Sequence, residues 1–162
     1  MKKEEKTNVM RILDSHKVPY KHYCYADTGA VSGSDVVRVL GEDPARAFKT
    51  LVTVARSKKN YVFVIPVDSE LDLKKAAACA GEKSVEMIKQ KELLPLTGYV
   101  HGGCSPIGMK KLFPTFFDRS AENFETVFFS AGKIGYQVEV KLSDIKNIVP
   151  YKLGDVTKQG EL

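Results

Sequence analysis

The sequence predicts a mixed α/β fold of the α+β kind, a bent mixed β-sheet flanked by short helices. Three observations carry that expectation. Apolar runs cluster instead of alternating regularly with helical stretches, which argues against a doubly wound parallel sheet. The helical stretches are short, and several end at a glycine, a residue that readily takes the left-handed cap conformation. One run, YVFVIPV at 61–67, is apolar on both faces and belongs in the middle of a sheet.

The elements follow in order. Val9, Ile12 and Leu13 recur at helical spacing, giving an amphipathic opening helix over 5–16. VPYKHYCY at 18–25, rich in tyrosine, reads as a strand, and ADTGAVSG at 26–33 as a loop. Ser34 is placed to cap a short helix over 35–40 that Gly41 terminates. Pro44 opens another helical turn. Strands at 49–55 and 61–67 pair as a hairpin across the polar RSKKN. A helix with small residues on its packed side runs from Asp72 to Gly81, followed by a short strand at 84–88. A helix at 89–94 is expected to end near Pro95. Strands at 115–118, 126–132 and 136–141 come next, then a closing helix over 144–149 capped by Ser143. The last stretch, 152–162, reads as a frayed tail. No repeat or linker divides the chain, so residues 1–162 are expected to form a single domain.

Composition narrows the function. Hydrophobic residues make up 43% and charged residues 28% of the 162 positions, ordinary for a soluble globular protein. No apolar run approaches the length of about 20 residues that a membrane helix needs, so no membrane partner is expected. The opening MKKEEKTNVM lacks the apolar core of a signal peptide. Cys24, Cys79 and Cys104 are unevenly spaced and suggest no disulfide framework; a reduced, cytoplasmic protein is the expectation. A net charge of +5 suits a polyanionic partner, although acidic residues are interleaved with the lysines and no polybasic block occurs.

Chemistry-bearing residues are few. Lys49 opens an apolar strand, where an ammonium must reach a partner, the sheet edge or a cleft. The loop Gly102-Gly103-Cys104-Ser105-Pro106-Ile107-Gly108 offers consecutive N–H groups that can hold a carbonyl or phosphate oxygen. It matches neither a Walker A nor a dinucleotide fingerprint. The second glycine-rich turn, SAGKIG at 130–135, reads as a hairpin connection or a second wall of the same pocket. His22 with Cys24 and His101 with Cys104 are residue types that suit zinc, but the paired spacing of structural sites is missing. Cys104 with His101 as base lacks an acidic orienting group, and an unpaired cysteine is more often a small hydrophobe. No metal is expected.

Several segments together resemble one family. HYCYAD, DVVRVLGEDPARAFKTLV, LDLKKAAACAGEKSVEM, TGYVHGGCSPIGMKKLFPTFFD and SAGKIGYQVEVKLSDI follow in that order between about 20 and 148. The motifs K-T-L, L-D-L-K-K, T-G-Y-x-x-G-G-x-S-P-x-G-x-K-K and S-x-G-K-x-G in sequence are specific. They are similar to the YbaK-type free-standing aminoacyl-tRNA deacylases, relatives of the editing domain inserted in bacterial prolyl-tRNA synthetases. The resemblance implies the synthetase-associated editing fold and removal of cysteine from mischarged Cys-tRNA(Pro), with no cofactor. It implies Lys49 as the essential lysine, with Tyr25 and Ser130 as further catalytic residues. Gly102, Gly103, Ser105, Pro106, Gly108, Gly132 and Gln137 would bind substrate. The partners implied are the aminoacylated 3′ end of tRNA and prolyl-tRNA synthetase. In this family the substrate's own thiol is held to attack the ester, a positioned water being the alternative. Two positions depart from the pattern: Ile134, where many relatives carry arginine, and Gln137, where they carry an acidic residue. The alternatives are a deacylase for another small amino acid, such as Ala-tRNA(Pro), and a non-catalytic tRNA- or synthetase-binding module.

Overall fold

The computed structural model describes residues 6–158. Within that span the bent sheet is resolved into two. One has three strands in the order β1(Tyr20–Cys24), β7(Tyr136–Val140), β6(Val127–Ser130), all antiparallel. The other has five, in the order β4(Val85–Met87), β2(Phe48–Ala55), β3(Asn60–Pro66), β5(Thr115–Asp118), β8(Tyr151–Gly154). Its β2–β3 and β2–β4 pairs are antiparallel, while β3–β5 and β5–β8 are parallel. A single parallel bridge, Ala47 to Phe128, ties the two sheets together.

The double-sided apolar run at 61–67 sits where its pattern places it, third of five strands. Val62 and Val64 face the main core between the sheets, where Phe117, Phe129, Val127 and Val138 are fully or almost fully buried. Phe63 and Ile65 face outward into a second cluster, closed by Ala76, Ala77 and Val156. Phe63 stacks on Phe116 at 5.4 Å between centroids.

The helices are short because each is capped locally. The opening helix α1 is Asn8–Ser15, with Thr7 Oγ1 accepting from Met10 N; residue 5 of the expected span lies outside the described residues. Val9, Met10 and Leu13 form its buried stripe. Helix α2 is Gly33–Leu40, and its cap is Ser32, not Ser34. The helix starts earlier than its apolar positions suggested, and Ser34 instead donates to Asp68 Oδ1 at 2.6 Å. Helix α3, Leu73–Ala80, is capped by Asp72, which accepts from the N–H groups of Lys74 and Lys75. Helix α4, Gln90–Thr97, runs through Pro95 rather than ending there. Pro95 lies on the exposed side, so the carbonyl it leaves unpaired can be solvated. The expected closing helix is only a 3-10 turn, Leu142–Ile145, because Ile145 and Val149 are both drawn into the core just before the chain enters β8.

The largest correction concerns the end of the chain. Residues 151–154, mostly read as tail, are the edge strand β8, parallel to β5. Tyr151 packs edge-to-face on Phe117 at 5.2 Å, and Val156 is fully buried. Beyond the strand, Thr157 bridges to Leu71, and Lys75 Nζ donates to Asp155 and to the carbonyl of Thr157. Residues 159–162 of the expected tail lie outside the described residues. The signal is weak in sequence because only one face of a four-residue edge strand is buried. Tyr151→Ala should therefore lower the unfolding free energy by about 3 kcal/mol, measured by urea titration; a frayed tail would leave the midpoint unchanged.

Candidate active site

Beyond the Ala47–Phe128 bridge the two sheets separate, and a cavity of about 680 Å3 opens between them. Its size suits a small ligand. β2 supplies Lys49 and Thr50, β6 supplies Ser130 and β7 supplies Gln137. The segment from Val31 to Val36 closes one side, and the loop containing His101, Gly102 and Cys104 closes another.

Of the residues expected from sequence, Tyr25, Lys49, Gly102, Ser130 and Gln137 meet at this one cavity. Tyr25 follows β1 and is 4% exposed; burial pushes its hydroxyl pKa up. Its backbone N–H donates to the carbonyl of Gly135 at 2.7 Å, tying the end of β1 to the SAGKIG turn. Ser130 and Gln137 are paired across the β6–β7 hairpin. Ser130 Oγ accepts from the N–H of Gly132 at 3.1 Å, which leaves its hydroxyl proton free to donate.

Lys49 is half-buried, and its ammonium forms no hydrogen bond or ion pair among the described residues. Burial lowers its pKa, while the more distant carboxylates of Asp68 and Glu70 work the other way. A cation is thus held at a cavity wall without a contacting counter-ion.

The glycine-rich loop divides into two parts. Gly102 reaches the cavity with φ +90°, and a Cβ there would lie 2.8 Å from Val31 Cγ1. Gly103, Ser105, Pro106 and Gly108 of the loop, and Gly132 of the SAGKIG turn, are not part of the lining. Ser105 is fully buried and accepts from Ile107 N at 3.3 Å. Gly108 and Gly132 both pack against Tyr99, whose hydroxyl donates to the carbonyl of Ile107. Tyr99, which sequence reasoning passed over, is the post around which both glycine-rich turns are folded. Its only sequence signal was an aromatic residue just before the loop.

Cys104 lines the cavity, but burial pushes its thiol to about 12. A thiol that stays protonated is a poor nucleophile. No group of three or more His, Cys, Asp or Glu stands together as a metal site among the described residues. Nor is any described helix long and apolar enough to cross a membrane.

Comparison with known proteins identifies the family. The aminoacyl-tRNA editing domain model matches residues 28–148, three quarters of the chain. The chain belongs to that family. An Enterococcus faecalis relative named "Putative Cys-tRNA(Pro)/Cys-tRNA(Cys) deacylase EbsC" is 45% identical over 157 residues, 96% of either chain. The proline–tRNA ligase of Shouchella clausii is 24% identical over 134 residues, covering 78% of this editing-domain chain but 23% of the ligase. Among solved structures, one described as "a putative trans-editing enzyme for prolyl tRNA synthetase" superposes with a TM-score of 0.81 at 18% identity. It is covered completely, as is 98% of the present chain, and the likeness is one of fold.

The depressed pKa of Lys49 has a signed consequence for the editing domain's stability. The unfolded chain keeps this proton up to the ordinary value of 10.5, and the native state releases it earlier. Folding is therefore penalised at neutral pH, and the penalty fades as pH climbs towards 10.5. Lys49→Met should melt at a temperature equal to or above that of wild type at pH 7. Its advantage should narrow by pH 10 in paired thermal scans; a variant markedly less stable at pH 7 would contradict this account.

Proposed function

We propose that the protein is a trans-editing deacylase that removes cysteine from mischarged Cys-tRNA(Pro) in the cytoplasm. The supporting observation is the cavity itself: a half-buried lysine without a contacting counter-ion shares its lining with Ser130, Gln137 and a cysteine held as a thiol. Ser130 has no hydrogen-bonded base, and Cys104 is held as a thiol. An aminoacyl ester is already activated, so placement and charge stabilisation supply most of what catalysis requires.

On this reading the substrate brings its own nucleophile. The cysteine thiol gives up its proton, and its sulfur bonds to the ester carbonyl carbon. The carbon–oxygen bond to the terminal ribose breaks, and the ribose oxygen takes up a proton. The product is a four-membered thiolactone that water later opens. Lys49 favours the thiolate and the developing oxyanion, the Ser130 hydroxyl and the Gly102 backbone position the carbonyl, and Tyr25 closes the wall. Gln137 contacts the amino-acid portion. Lys110 and Lys111, exposed beyond the loop, are placed for tRNA phosphates. Likeness to a segment of a proline–tRNA ligase supports that synthetase as the partner that selects the tRNA.

Lys49→Ala should lower cysteine release from Cys-tRNA(Pro) by at least about a hundredfold, while Cys104→Ala should stay within about threefold of wild type. Deacylation of Cys-, Ala- and Pro-tRNA(Pro) side by side, followed by acid-precipitable label, reads both effects. Release of alanine but not cysteine would reject the thiol-assisted route, and full activity in the lysine variant would reject the site.

A further inference from the structure

Gln137 at the cavity and its hydrogen-bond partner Glu42, outside the lining, each leave an acceptor unfilled. Gln137 is 5% exposed, lines the cavity, and donates through Nε2 to Glu42 Oε1 at 2.9 Å. The other oxygen of each partner, Gln137 Oε1 and Glu42 Oε2, is buried with no hydrogen-bond partner among the described residues. Buried polar atoms in folded proteins are nearly always satisfied. The orphan Gln137 Oε1, on a side chain that lines the cavity, marks a place where a donor arrives.

The surroundings of Glu42 specify the donor's charge. Glu42 directly follows Gly41 at the C-terminal end of α2, where the helix dipole disfavours a carboxylate. Its own N–H closes that end by donating to the Val37 carbonyl at 3.0 Å. Arg46, the nearby cation, is engaged elsewhere: it donates to Thr126 and forms an ion pair with Glu139 at 3.2 Å. Burial pushes the Glu42 carboxyl up from the ordinary glutamate range; the hydrogen bond from Gln137 pulls it partly back. The charge of Glu139 adds to the rise, and Arg46 opposes it. No described residue forms an ion pair with Glu42. The amide nitrogen of Gln137 donates to Glu42, so the amide oxygen faces away from that carboxyl group.

We infer that Glu42 is a positioning residue: it fixes the Gln137 amide so that its oxygen accepts from the α-ammonium of the aminoacyl ester, and its negative charge complements that cation. A free amino group then becomes part of what the site recognises, and an N-acylated ester is discriminated against. The inference rests on the aminoacyl-ester reading above and adds a specificity determinant to it.

The test compares cleavage of Cys-tRNA(Pro) and N-acetyl-Cys-tRNA(Pro) by wild type, Gln137→Met, Glu42→Leu and Glu42→Gln, each confirmed folded by circular dichroism melting. Wild type should prefer the free amine by about ten- to a hundredfold in kcat/KM, the range for a hydrogen bond to a charged group. Gln137→Met and Glu42→Leu should bring that ratio to within about threefold of unity. Glu42→Gln, whose Oε1 still accepts from Gln137, should keep an intermediate ratio. A role confined to packing would slow both esters equally, and that result, or an unchanged ratio, overturns the inference. Wild type that cleaves both esters equally well overturns it alone. Wild type that cleaves neither overturns the proposed function together with it.

Discussion

Among the described residues, Ala47 and Phe128 form the one backbone bridge between two sheets that otherwise pair only within themselves. Arg46 secures the join. It stacks over the Phe128 ring at 4.8 Å, donates through Nε to the Thr126 carbonyl at 3.2 Å, and reaches Glu139 on β7. Tyr23 of β1 and Thr126 donate to the same Glu139 carboxylate, so one network spans all three strands of the smaller sheet. The bridge is parallel, and two residues beyond it on each strand stand Lys49 and Ser130. Past that point no further bridge joins the two sheets among the described residues, and residues of both line the cavity. The position of the two proposed catalytic side chains is thus set by a contact neither of them makes.

That geometry explains which parts of the molecule were legible in sequence. Strands β2, β3, β5, β6 and β7 announced themselves because their apolar residues are buried on one or both faces, and burial is what an apolar pattern encodes. Strand β8 did not, since Lys152 and Leu153 are exposed and only Tyr151 is buried. Helix α2 was placed but its start was not: Ser32 and Ser34 are both competent caps, and the choice was decided by Asp68, 34 residues away, which takes the Ser34 hydroxyl. Pro95 was read as a stop, a local rule that yields when the freed carbonyl faces water. In each miss a tertiary contact or solvent exposure overrode a local preference.

The candidate site shows the same division more sharply. Lys49 was conspicuous because a cation on an apolar strand breaks the pattern. The loop from Gly102 to Gly108 was conspicuous by composition, yet its residues serve two purposes that composition cannot separate. Gly102 borders the cavity, while Ser105 and Gly108 are turned back to Ile107 and Tyr99. The cysteine between them, the most chemically suggestive residue of the loop, is the one whose chemistry the fold suppresses, because desolvation disfavours its thiolate. Glu42 was invisible for the opposite reason. It lies in a charged, glycine-bounded turn that reads as surface, and only the tertiary fold brings it beside Gln137, 95 positions away.

The polar groups around the cavity share one energetic character. Among the described residues Lys49 is desolvated without a contacting counter-ion, Glu42 is desolvated with an amide as its hydrogen-bond partner, and Thr50 Oγ1 and Gln137 Oε1 are buried without partners. Each costs folding free energy that a polar side chain fully solvated or fully paired would not. The cost is tolerable because it falls beside a core that is otherwise apolar and closely packed, with Phe117 touching Phe48, Phe129 and Tyr151. Lys49 lines the cavity and Glu42, outside the lining, bonds Gln137, and the two form no ion pair with one another. A ligand that carries an ester carbonyl at one end and an ammonium at the other would satisfy both, and the binding energy so recovered is largest for the molecule that presents both groups. Selectivity in such a site comes from what the empty protein leaves unpaired.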